Sequence, residues 1–300
     1  MGKRLGKQKM DYVILTDSGL DVPAKIRHEL GIEVYRIPIF VDEKEFDYNV
    51  EIDDGFEEFY KKLKAGSLTK TAALNPFDYR EILEPFLKEG KDVIYVGFSS
   101  NISGSLGYFK TAVKDLLSDY PERKIILCDT LSLSFGGGKL VEQAAKMLKE
   151  GKSADEIQKY VEVERFKTAL MFTPETLTYL KRGGRLSGAK AAIGNFLNLK
   201  PILYVNNDGV LDKACQVQGR KKSLQTMCEI AGRCGDDIEN QEVIVLHSLC
   251  EEDAKLFAEM VKKSLNPKEV KIYSIGPVIG AHCGPGTIGF CFRAKTRDLK

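Results

Sequence analysis

Short apolar runs alternate with longer amphipathic stretches over the first half of the chain. The apolar runs predict strands over 12–16, 34–41, 93–98 and 125–129. The amphipathic stretches predict helices over 23–30, 55–65, 77–89, 105–118, 134–150 and 153–164. Strands that alternate with helices pair in parallel and carry helices on both faces, because each crossover connection lies over the sheet. The first half therefore predicts an α/β domain built on a parallel sheet.

The pattern changes at about residue 166. Asn206-Asn207-Asp208-Gly209 separates two apolar runs, and its Asp-Gly pair is typical of a β-hairpin turn. Three hundred residues also exceed what one hydrophobic core usually organises. We therefore expect two domains, over 10–165 and 166–295, the second with a mixed sheet. Its predicted helices cover 174–181, 188–197, 221–233 and 252–265, and its predicted strands cover 202–205, 210–217, 243–247, 270–274 and 287–292.

Composition and charge argue against several classes of protein. A net charge of +2 and the absence of tryptophan argue against a surface for nucleic acid. Seven cysteines, an odd number without a Cys-x-x-Cys pair, indicate reduced thiols and hence a cytoplasmic protein. The apolar run at 13–15 is too short for a signal peptide or a membrane span, which leaves transient contact with a membrane surface. The sequence has no Walker motif and no paired-carboxylate metal site, so we expect no cofactor and no metal.

The segment from Gly276 to Gly289 is the strongest functional signal. It places His282 in a glycine-rich turn before the apolar run 290–292, so we expect a titratable imidazole near the end of a strand. Residues 284–289 match G-x-G-x-x-G, but a dinucleotide site requires that motif to open a helix, and β-forming residues follow it here. The alternative is a tight turn in which the histidine is merely packed.

Hydroxyl groups are concentrated in loops that follow predicted strands, where open parallel sheets bind their ligands. Ser99, Ser100, Ser103 and Ser105 stand immediately before a predicted helix, and N-capping explains only one of them. Hydroxyl and backbone N–H groups at a helix N-terminus favour a carboxylate or a phosphate. Thr71, ahead of another predicted helix, adds a weaker candidate donor.

Three further segments have structural as well as functional interpretations. Residues 136–139, Gly-Gly-Gly-Lys, lack the spacing of a P-loop, so we expect them to allow close packing of a helix. A glycine pair at 183–184 ends a predicted helix, and the following Arg185 can pair with an anion in fork geometry. Asp21, two residues before Pro23, has helix capping as its simplest role.

Together these motifs resemble those of the DegV family, the fatty-acid-binding proteins that serve as the carrier subunit of bacterial fatty acid kinase. The resemblance extends from about residue 11 to residue 293, with the motifs in the family's order. The motifs are Leu15-Thr16-Asp17-Ser18 with Asp21-Val22-Pro23, Ser99-Ser100-Asn101-Ile102-Ser103-Gly104-Ser105, Cys128-Asp129-Thr130-Leu131-Ser132, Tyr179-Leu180-Lys181-Arg182-Gly183-Gly184-Arg185-Leu186-Ser187, and Gly280-Ala281-His282 with Gly284-Pro285-Gly286-Thr287.

The resemblance implies an N-terminal three-layer α/β/α domain, a C-terminal two-layer α/β domain with a mixed sheet, and one long-chain fatty acid buried between or within them. A separate kinase subunit would deliver phosphate from ATP to form acyl phosphate, and this chain would not be catalytic alone. The site residues implied are Thr71, Ser100 and His282 at the fatty-acid carboxylate, Arg185 and Arg220 toward the phosphoryl group and the partner, and Ser99, Ser103 and Gly104 in a secondary head-group loop. Candidate tunnel residues are Phe172, Phe196, Leu197 and Ile279.

Two departures from the family pattern leave alternatives open. Residues 71–74 read Thr-Ala-Ala-Leu in place of the usual Thr-Ser-Gln-Pro, and Gln218 stands where an arginine is common. A lipid sensor without a kinase partner would keep the fatty-acid site and lose the docking surface. An acyl-ester hydrolase that uses Ser100 and His282 is less favoured, because the sequence has no G-x-S-x-G elbow. Thiol catalysis by Cys283 is disfavoured, because neighbours on an extended chain point to opposite sides.

Overall fold

A computed structural model of the protein describes residues 11–186 and 199–300. The helix predicted over 188–197 and the tunnel candidates Phe196 and Leu197 lie outside these residues. The strands are β1 (Tyr12–Asp17), β2 (Ile32–Tyr35), β3 (Ile39–Val41), β4 (Lys44–Glu45), β5 (Thr69–Thr71), β6 (Asp92–Gly97), β7 (Ile125–Asp129), β8 (Thr168–Thr173), β9 (Leu199–Val205), β10 (Leu211–Gln218), β11 (Glu242–His247), β12 (Glu269–Ser274) and β13 (Ile288–Arg293). The helices are α1 (Ala24–Leu30), α2 (Phe56–Lys64), α3 (Pro76–Lys88), α4 (Ser105–Asp119), α5 (Ser134–Lys149), α6 (Ala154–Glu164), α7 (Thr178–Arg182), α8 (Arg220–Cys234), α9 (Glu251–Leu265) and α10 (Pro277–Cys283). In the two described ranges, every helix is too short or too polar to cross a bilayer.

A parallel sheet between two helical layers confirms the fold predicted for the first half. Its strand order is β2-β1-β6-β7, and Ile14 of β1 lies opposite both Ile32 of β2 and Ile94 of β6. The helices α3 and α4 bury Leu83 and Phe109 on one face of the sheet, whereas α1, α5 and α6 cover the other face. Because the strand order reverses between β1 and β6, the connections after these strands leave a crevice at the carboxyl edge of the sheet.

The second half contains the mixed sheet that was predicted, with the strand order β10-β9-β8-β13-β11-β12. β11 and β12 pair in parallel, and the other neighbours pair antiparallel. The predicted hairpin joins β9 to β10, with Gly209 at a φ of +74° and the Asn206 amide donating to the carbonyl of Val210. α8 and α9 pack on one face of this sheet, and the other face, which carries Leu170 and Leu246, packs toward α5 and α10.

Several elements differ from the sequence prediction. The prediction omits β8, the strand between β9 and β13, although the apolar run at 169–172 is typical of a buried strand. The strand predicted over 34–41 is two strands, since Pro38 interrupts it and β3 then forms a small antiparallel sheet with β4 and β5. The helix α7 begins at Thr178 instead of residue 174.

The glycine-rich segment before β13 is partly helical, which corrects the expected turn. Pro277 opens α10, as suits a residue with a fixed φ and no amide proton. After this helix, Gly284 and Gly286 adopt φ values of +74° and +81° and lead the chain into β13. His282 therefore lies in the last turn of a helix and not at the end of a strand. The strand β13 begins at Ile288, within residues 284–289, which confirms that this G-x-G-x-x-G sequence does not open a helix.

The glycines at the start of α5 allow close packing, as predicted. A Cβ built on Gly138 would overlap the carbonyl oxygen of Leu20, and one built on Gly137 would lie 2.6 Å from Leu20 Cδ2. A Cβ on Gly136 would lie 2.9 Å from Cβ of Leu170 in β8. The helix α5 therefore packs closely against both the first loop and the mixed sheet.

Asp21 does not cap α1, contrary to the expectation. The amide of Ala24 at the start of that helix donates instead to Asp53 Oδ2, 2.6 Å away. Asp21 Oδ1 accepts the Gly276 amide over 2.9 Å, and its Oδ2 accepts the hydroxyl of Ser134. This carboxyl group thus connects the loop after β1 to the first residue of α5 and to the N-cap residue of α10.

Candidate functional site

A cavity of about 170 Å³, here called the inner cavity, lies between the carboxyl edge of the parallel sheet and the mixed sheet. Its apolar wall residues are Ile37, Phe98, Ile102, Leu106, Leu133, Leu170, Phe172, Leu180, Leu211, Leu246, Ile275, Val278 and Ile279. Its polar wall residues are Asp17, Tyr35, Thr71, Tyr95, Ser103, Ser105, Ser134, Arg185, His282 and Thr287. An apolar wall with a few convergent polar groups is typical of a site for a small molecule.

Thr71 and His282 meet on the wall of the inner cavity. Thr71 ends β5 and His282 lies in the last turn of α10, yet Thr71 Oγ1 and His282 Nε2 are 3.0 Å apart. β5 reaches this position because it pairs with β3, with Thr71 opposite Ile39. The structure therefore brings together two of the three residues that were expected at the carboxylate.

The imidazole of His282 is largely buried, and its surroundings keep it neutral. Burial, together with the nearby guanidinium of Arg185, lowers the pKa of His282 to about 4. Gly183 makes room for the ring, because a Cβ built on it would overlap Nδ1. Arg185 also lines the cavity, and its Nη1 donates to the carbonyl oxygen of Gly183. At neutral pH the positive charge in this part of the wall thus belongs to Arg185.

The loop after β6 contributes two serine hydroxyls to the inner cavity. Ser103 and Ser105 line the wall, with their Oγ atoms 2.9 Å apart. Gly104 is the N-cap of α4 and supplies no side-chain cap, and Ser105 is the first residue of that helix. The N-terminus of α4 therefore lies at the cavity wall, where its dipole favours an anionic group.

Ser99 and Ser100, by contrast, are not part of the cavity wall. The hydroxyl of the buried Ser99 donates to the carbonyl oxygen of Gly209 in the β9–β10 turn, 2.7 Å away. The Ser100 amide lies 3.4 Å from Asp129 Oδ1 at the end of β7. The structure thus does not bring Ser100 to Thr71 and His282 as expected, because Ser99 holds this end of the loop against the hairpin.

Arg220 lies away from the inner cavity and is held by contacts within the protein. Its Nε donates to Asp253 Oδ2 over 2.9 Å, and its Nη2 donates to the carbonyl of Gly286 over 2.9 Å. Nη1 donates to the carbonyl of Thr173 over 3.3 Å, and the side chain is 19% exposed. The guanidinium joins α8, α9 and the ends of two strands. This position gives no support to the expected role of Arg220 toward a partner.

Sequence reasoning missed a buried polar group formed by Asp17, Tyr35 and Tyr95. The Tyr95 hydroxyl donates to Asp17 Oδ2 over 3.1 Å, and the hydroxyl oxygens of Tyr35 and Tyr95 are 2.8 Å apart. Burial raises the pKa of each of these three groups. Asp17 is the last residue of β1, so the rule that ligands bind beyond strand ends was the available signal.

A larger cavity of about 850 Å³, here called the acidic cleft, also reaches Asp17. Its carboxyl groups come from Asp17, Asp21, Asp53, Asp54, Glu57, Glu58 and Glu251, and its basic side chains are Arg27 and His247. Asp21 in this cleft bonds to Ser134 of the inner cavity, so Asp17, Asp21 and Ser134 form a partition between the two cavities. Burial raises the pKa of Asp21 to about 7.

Known proteins are similar to this chain in fold and in sequence over nearly its whole length. The family model described as "Uncharacterised protein, DegV family" matches residues 11–295. A DegV domain-containing protein of Clostridium perfringens is 37% identical over 287 residues, which cover 96% of this chain and 99% of the relative. A solved DegV family protein from Thermus thermophilus, described as binding fatty acid, superposes with a TM-score of 0.84 at 28% identity, over 95% of this chain and 100% of that chain. DegV from Bacillus subtilis, described as a fatty acid binding protein, superposes with a TM-score of 0.79 at 28% identity, over 95% and 100% of the two chains. The chain belongs to the DegV family.

Proposed function

We propose that this protein binds one long-chain fatty acid in the inner cavity, with the carboxylate at Thr71, His282 and Arg185. The observation that carries the proposal is the composition of one wall, on which hydroxyl donors and a cation stand beside an extended apolar surface. Solved relatives that are described as binding fatty acids share the fold over 95% of this chain, which supports the same ligand class here.

The hydrocarbon tail would supply most of the affinity. The inner cavity, of about 170 Å³, presents a largely apolar wall to such a tail. Burial of about a dozen methylenes at roughly 0.8 kcal/mol each contributes on the order of 10 kcal/mol, which offsets much of the cost of ordering a ligand. Phe172 and Ile279, two of the expected tunnel residues, line this cavity.

The carboxylate would supply orientation, because a buried anion requires hydrogen-bond donors around it. We assign the donors from the loop after β6 to Ser103 and Ser105 in place of Ser100, since the first two line the cavity. The positive charge of Arg185 and the N-terminus of α4 would further stabilise the anion.

We further propose that the bound carboxylate is presented to a separate ATP-dependent kinase subunit, which would form acyl phosphate. Arg185 is the residue in the wall suited to neutralise phosphoryl charge during that transfer. Arg220 is left out of this role because Asp253 and two carbonyl groups already occupy its donors. A lipid sensor without a kinase partner remains the second candidate, favoured by Gln218 at a position where an arginine is common in the family.

A hydrolase that uses Ser100 and His282 has less support. Ser100 is not among the residues of the cavity wall, and His282 Nε2 is bonded to Thr71. A pKa of about 4 also makes His282 a weak general base at neutral pH. Cys283 follows His282 in a helix and not on an extended chain, and burial raises the pKa of its thiol to about 12.

Mass spectrometry of lipids extracted under denaturing conditions from freshly purified protein tests the binding proposal. We expect one long-chain fatty acid per chain. Protein that is free of lipid and does not bind labelled long-chain acids would contradict it.

Incubation of the loaded protein with a bacterial fatty acid kinase ATP-binding subunit and ATP tests the presentation step. Acyl phosphate supports that step, and binding without acyl phosphate favours the lipid sensor.

A further inference from the structure

We infer that Asp17 is a further binding residue of the inner cavity, which takes up one proton from solvent when a long-chain acid enters the cavity as its anion. The inference rests on the proposed function and deepens it, because it states the ionic form in which the ligand is bound. Its basis is the position of Asp17 in the walls of both cavities, together with the charged groups that face the ligand.

The charges on the wall of the inner cavity do not compensate a second anion. Among the described residues of that wall, Asp17 and Arg185 are the groups that carry a full charge at neutral pH, since His282 is neutral and burial raises the pKa of Cys283 to about 12. Arg185 thus balances an ionised Asp17 while the cavity is empty. A bound carboxylate adds a buried negative charge, which is costly unless it is compensated. Protonation of Asp17 restores the balance.

Asp17 is held by hydrogen-bond donors and not by a cation. Its Oδ1 accepts the amide of Gly19 over 2.9 Å, and its Oδ2 accepts the amide of Phe98 and the hydroxyl of Tyr95, each over 3.1 Å. Neither a lysine nor an arginine of residues 11–186 and 199–300 bonds to this carboxyl group. Burial outweighs the three donors and raises the pKa of Asp17. A nearby second anion raises the pKa of such a group further.

The other titratable groups around Asp17 do not hold it in the ionised form. In the described part of the chain, the titratable side chains that interact with its charge are Tyr35 of β2, Tyr48 of the loop before α2, Tyr79 of α3, Tyr95 of β6 and Asp21 of the loop after β1. Burial raises the pKa of the four tyrosines, so they are neutral, and an ionised Asp21 repels Asp17. The basic side chains of the acidic cleft are His247, whose pKa is lowered by burial, and Arg27, which pairs with Asp53 over 2.8 Å.

A chain of hydroxyl groups links the protonation of Asp17 to the cavity. The hydroxyl oxygens of Tyr35 and Tyr95 are 2.8 Å apart, and both residues line the inner cavity. While Asp17 is ionised, Tyr95 donates to it and Tyr35 donates to Tyr95, so neither hydroxyl keeps a proton for the ligand. A protonated Asp17 donates to Tyr95, and Tyr95 then donates to Tyr35, which frees the Tyr35 proton for an acceptor. A carboxylate accepts hydrogen bonds, so it favours the protonated form of Asp17 through hydrogen bonding as well as through charge.

The acidic cleft connects Asp17 to solvent. Asp17 lines this cleft as well as the inner cavity, and Glu57 and Glu58 of the same cleft are exposed. A hydronium ion transfers its proton to Oδ2 of Asp17 and leaves as water, so one O–H bond forms and one breaks. The fatty acid keeps its negative charge, which Arg185 then balances.

Isothermal titration with one long-chain acid, in buffers of different ionisation enthalpy, counts the protons taken up on binding. We expect uptake to approach one proton per acid at pH values between the pKa of Asp17 in the empty protein and its pKa in the loaded protein. The loaded protein holds the extra proton, so the affinity should be greatest at low pH and fall by up to about tenfold per pH unit across that range. Binding without proton uptake between pH 5 and pH 9 would overturn the inference and leave the proposed function intact. Absence of binding would overturn both.

Two variants and a matched control locate the proton. Asp17→Asn removes the titratable group and should abolish the uptake. Tyr95→Phe keeps the ring but removes the side-chain donor to Asp17, so Asp17 holds a proton more often in the empty protein, and uptake should fall by about half or more. Tyr79→Phe makes the same change in the same ring cluster, with a hydroxyl 3.4 Å from that of Tyr35 and outside the inner cavity, and should keep the uptake of the wild type. An equal loss in both phenylalanine variants would contradict the inference.

His282 and Asp21 are the alternative acceptors of the proton. The pKa of His282 is about 4, and Arg185 opposes a positive charge beside it, whereas Asp21 lines the acidic cleft and not the inner cavity. His282→Gln should weaken binding but keep the uptake of one proton, and Asp21→Asn should keep the uptake as well. Loss of uptake in either variant, with uptake retained in Asp17→Asn, would overturn the assignment.

Carbon NMR of the bound acid, labelled with ¹³C at its carboxyl carbon, shows whether the proton lies on the protein or on the ligand. We expect the chemical shift of an ionised carboxylate in the loaded wild-type protein at every pH at which uptake is measured. The chemical shift of a protonated carboxyl group would place the proton on the fatty acid and overturn the inference.

Discussion

The inner cavity and the acidic cleft share the partition formed by Asp17, Asp21 and Ser134, yet their chemistry is opposite. The inner cavity combines an apolar wall with hydroxyl groups and Arg185. The acidic cleft is larger and carries seven carboxyl side chains against Arg27 and His247. Both lie at the carboxyl edge of the parallel sheet, so position in the fold marks where ligands bind, and the residues on each wall decide which ligand is accepted.

Burial disfavours the charged form of titratable groups in both cavities, and it therefore shifts the pKa of a base and the pKa of an acid in opposite directions. It lowers the pKa of His282 to about 4 and so removes a positive charge from the inner cavity at neutral pH. It raises the pKa of Asp21 to about 7 and so weakens a negative charge in the partition. The contrast between the cavities at neutral pH therefore depends mainly on Arg185 and on the more exposed carboxylates of the cleft.

The largest effect on fatty-acid binding is expected from a substitution that fills the inner cavity, compared with one that fills the acidic cleft. Ile275 lines the inner cavity and Ile272 lines the acidic cleft, three residues earlier. Ile275→Trp should reduce fatty-acid binding by at least a hundredfold, because the indole occupies the space of several methylenes. Ile272→Trp is the matched control and should leave binding within a fewfold of wild type, as measured by titration with a fluorescent long-chain acid.

The comparison of Ile275→Trp with Ile272→Trp shows which of the two cavities binds the lipid. A loss of binding in Ile272→Trp with retention in Ile275→Trp would move the proposed lipid site to the acidic cleft. Thermal unfolding of both variants must accompany the titrations, since inserting bulk into a packed core commonly costs about 1–3 kcal/mol.

A smaller effect, on the free energy of unfolding, is expected from removing the titratable carboxyl group of Asp21. Its pKa is about 7 in the folded protein against an ordinary value of 3.8 for an aspartate, so between these values the folded state binds more protons than the unfolded state. The contribution of Asp21 to stability is therefore fully present below about pH 4 and is lost as the pH rises through 7. Asp17 and Asp53 add to the upward shift through repulsion.

Urea unfolding at pH 5 and pH 8 measures this contribution. The free energy of unfolding of the wild-type protein should fall between these pH values by on the order of 2 kcal/mol more than that of Asp21→Asn. Asp54→Asn changes an exposed carboxylate of the same cleft and should follow the wild-type pH dependence. Equal pH dependence in wild type and Asp21→Asn would show that Asp21 does not titrate in this range.

The sequence predicted those features that depend on neighbouring residues. The parallel sheet, the hairpin at Asn206-Asn207-Asp208-Gly209 and the packing of the α5 glycines follow from local patterns of polarity and size. Thr71, His282 and Arg185 were also named in advance, and the structure places all three on one wall. The secondary structure predicted at His282 was wrong, because the helix α10 forms from glycine-rich residues through tertiary packing.

The contacts that the sequence did not predict join residues that are distant in sequence. Ser99 is held by a carbonyl 110 residues away, and Asp21 by an amide 255 residues away. Arg220 likewise bonds across 66 residues to Gly286. Spacing along the chain contains no information on such pairs, so the roles of Ser100, Asp21 and Arg220 could not be assigned from their neighbours alone.

The smallest effect on fatty-acid binding is expected at the two serines that the loop after β6 contributes to the inner cavity. Ser103→Ala and Ser105→Ala each remove a hydroxyl from the cavity wall, so we expect fatty-acid binding to weaken by about threefold to tenfold. Ser100→Ala is the matched control, three residues from Ser103 and five from Ser105, and should bind as wild type because Ser100 is not part of that wall. Isothermal titration with one long-chain acid measures all three variants. A loss in Ser100→Ala alone would place the carboxylate nearer β7, at Asp129, where a second negative charge would have to be compensated by protonation or by a bound cation.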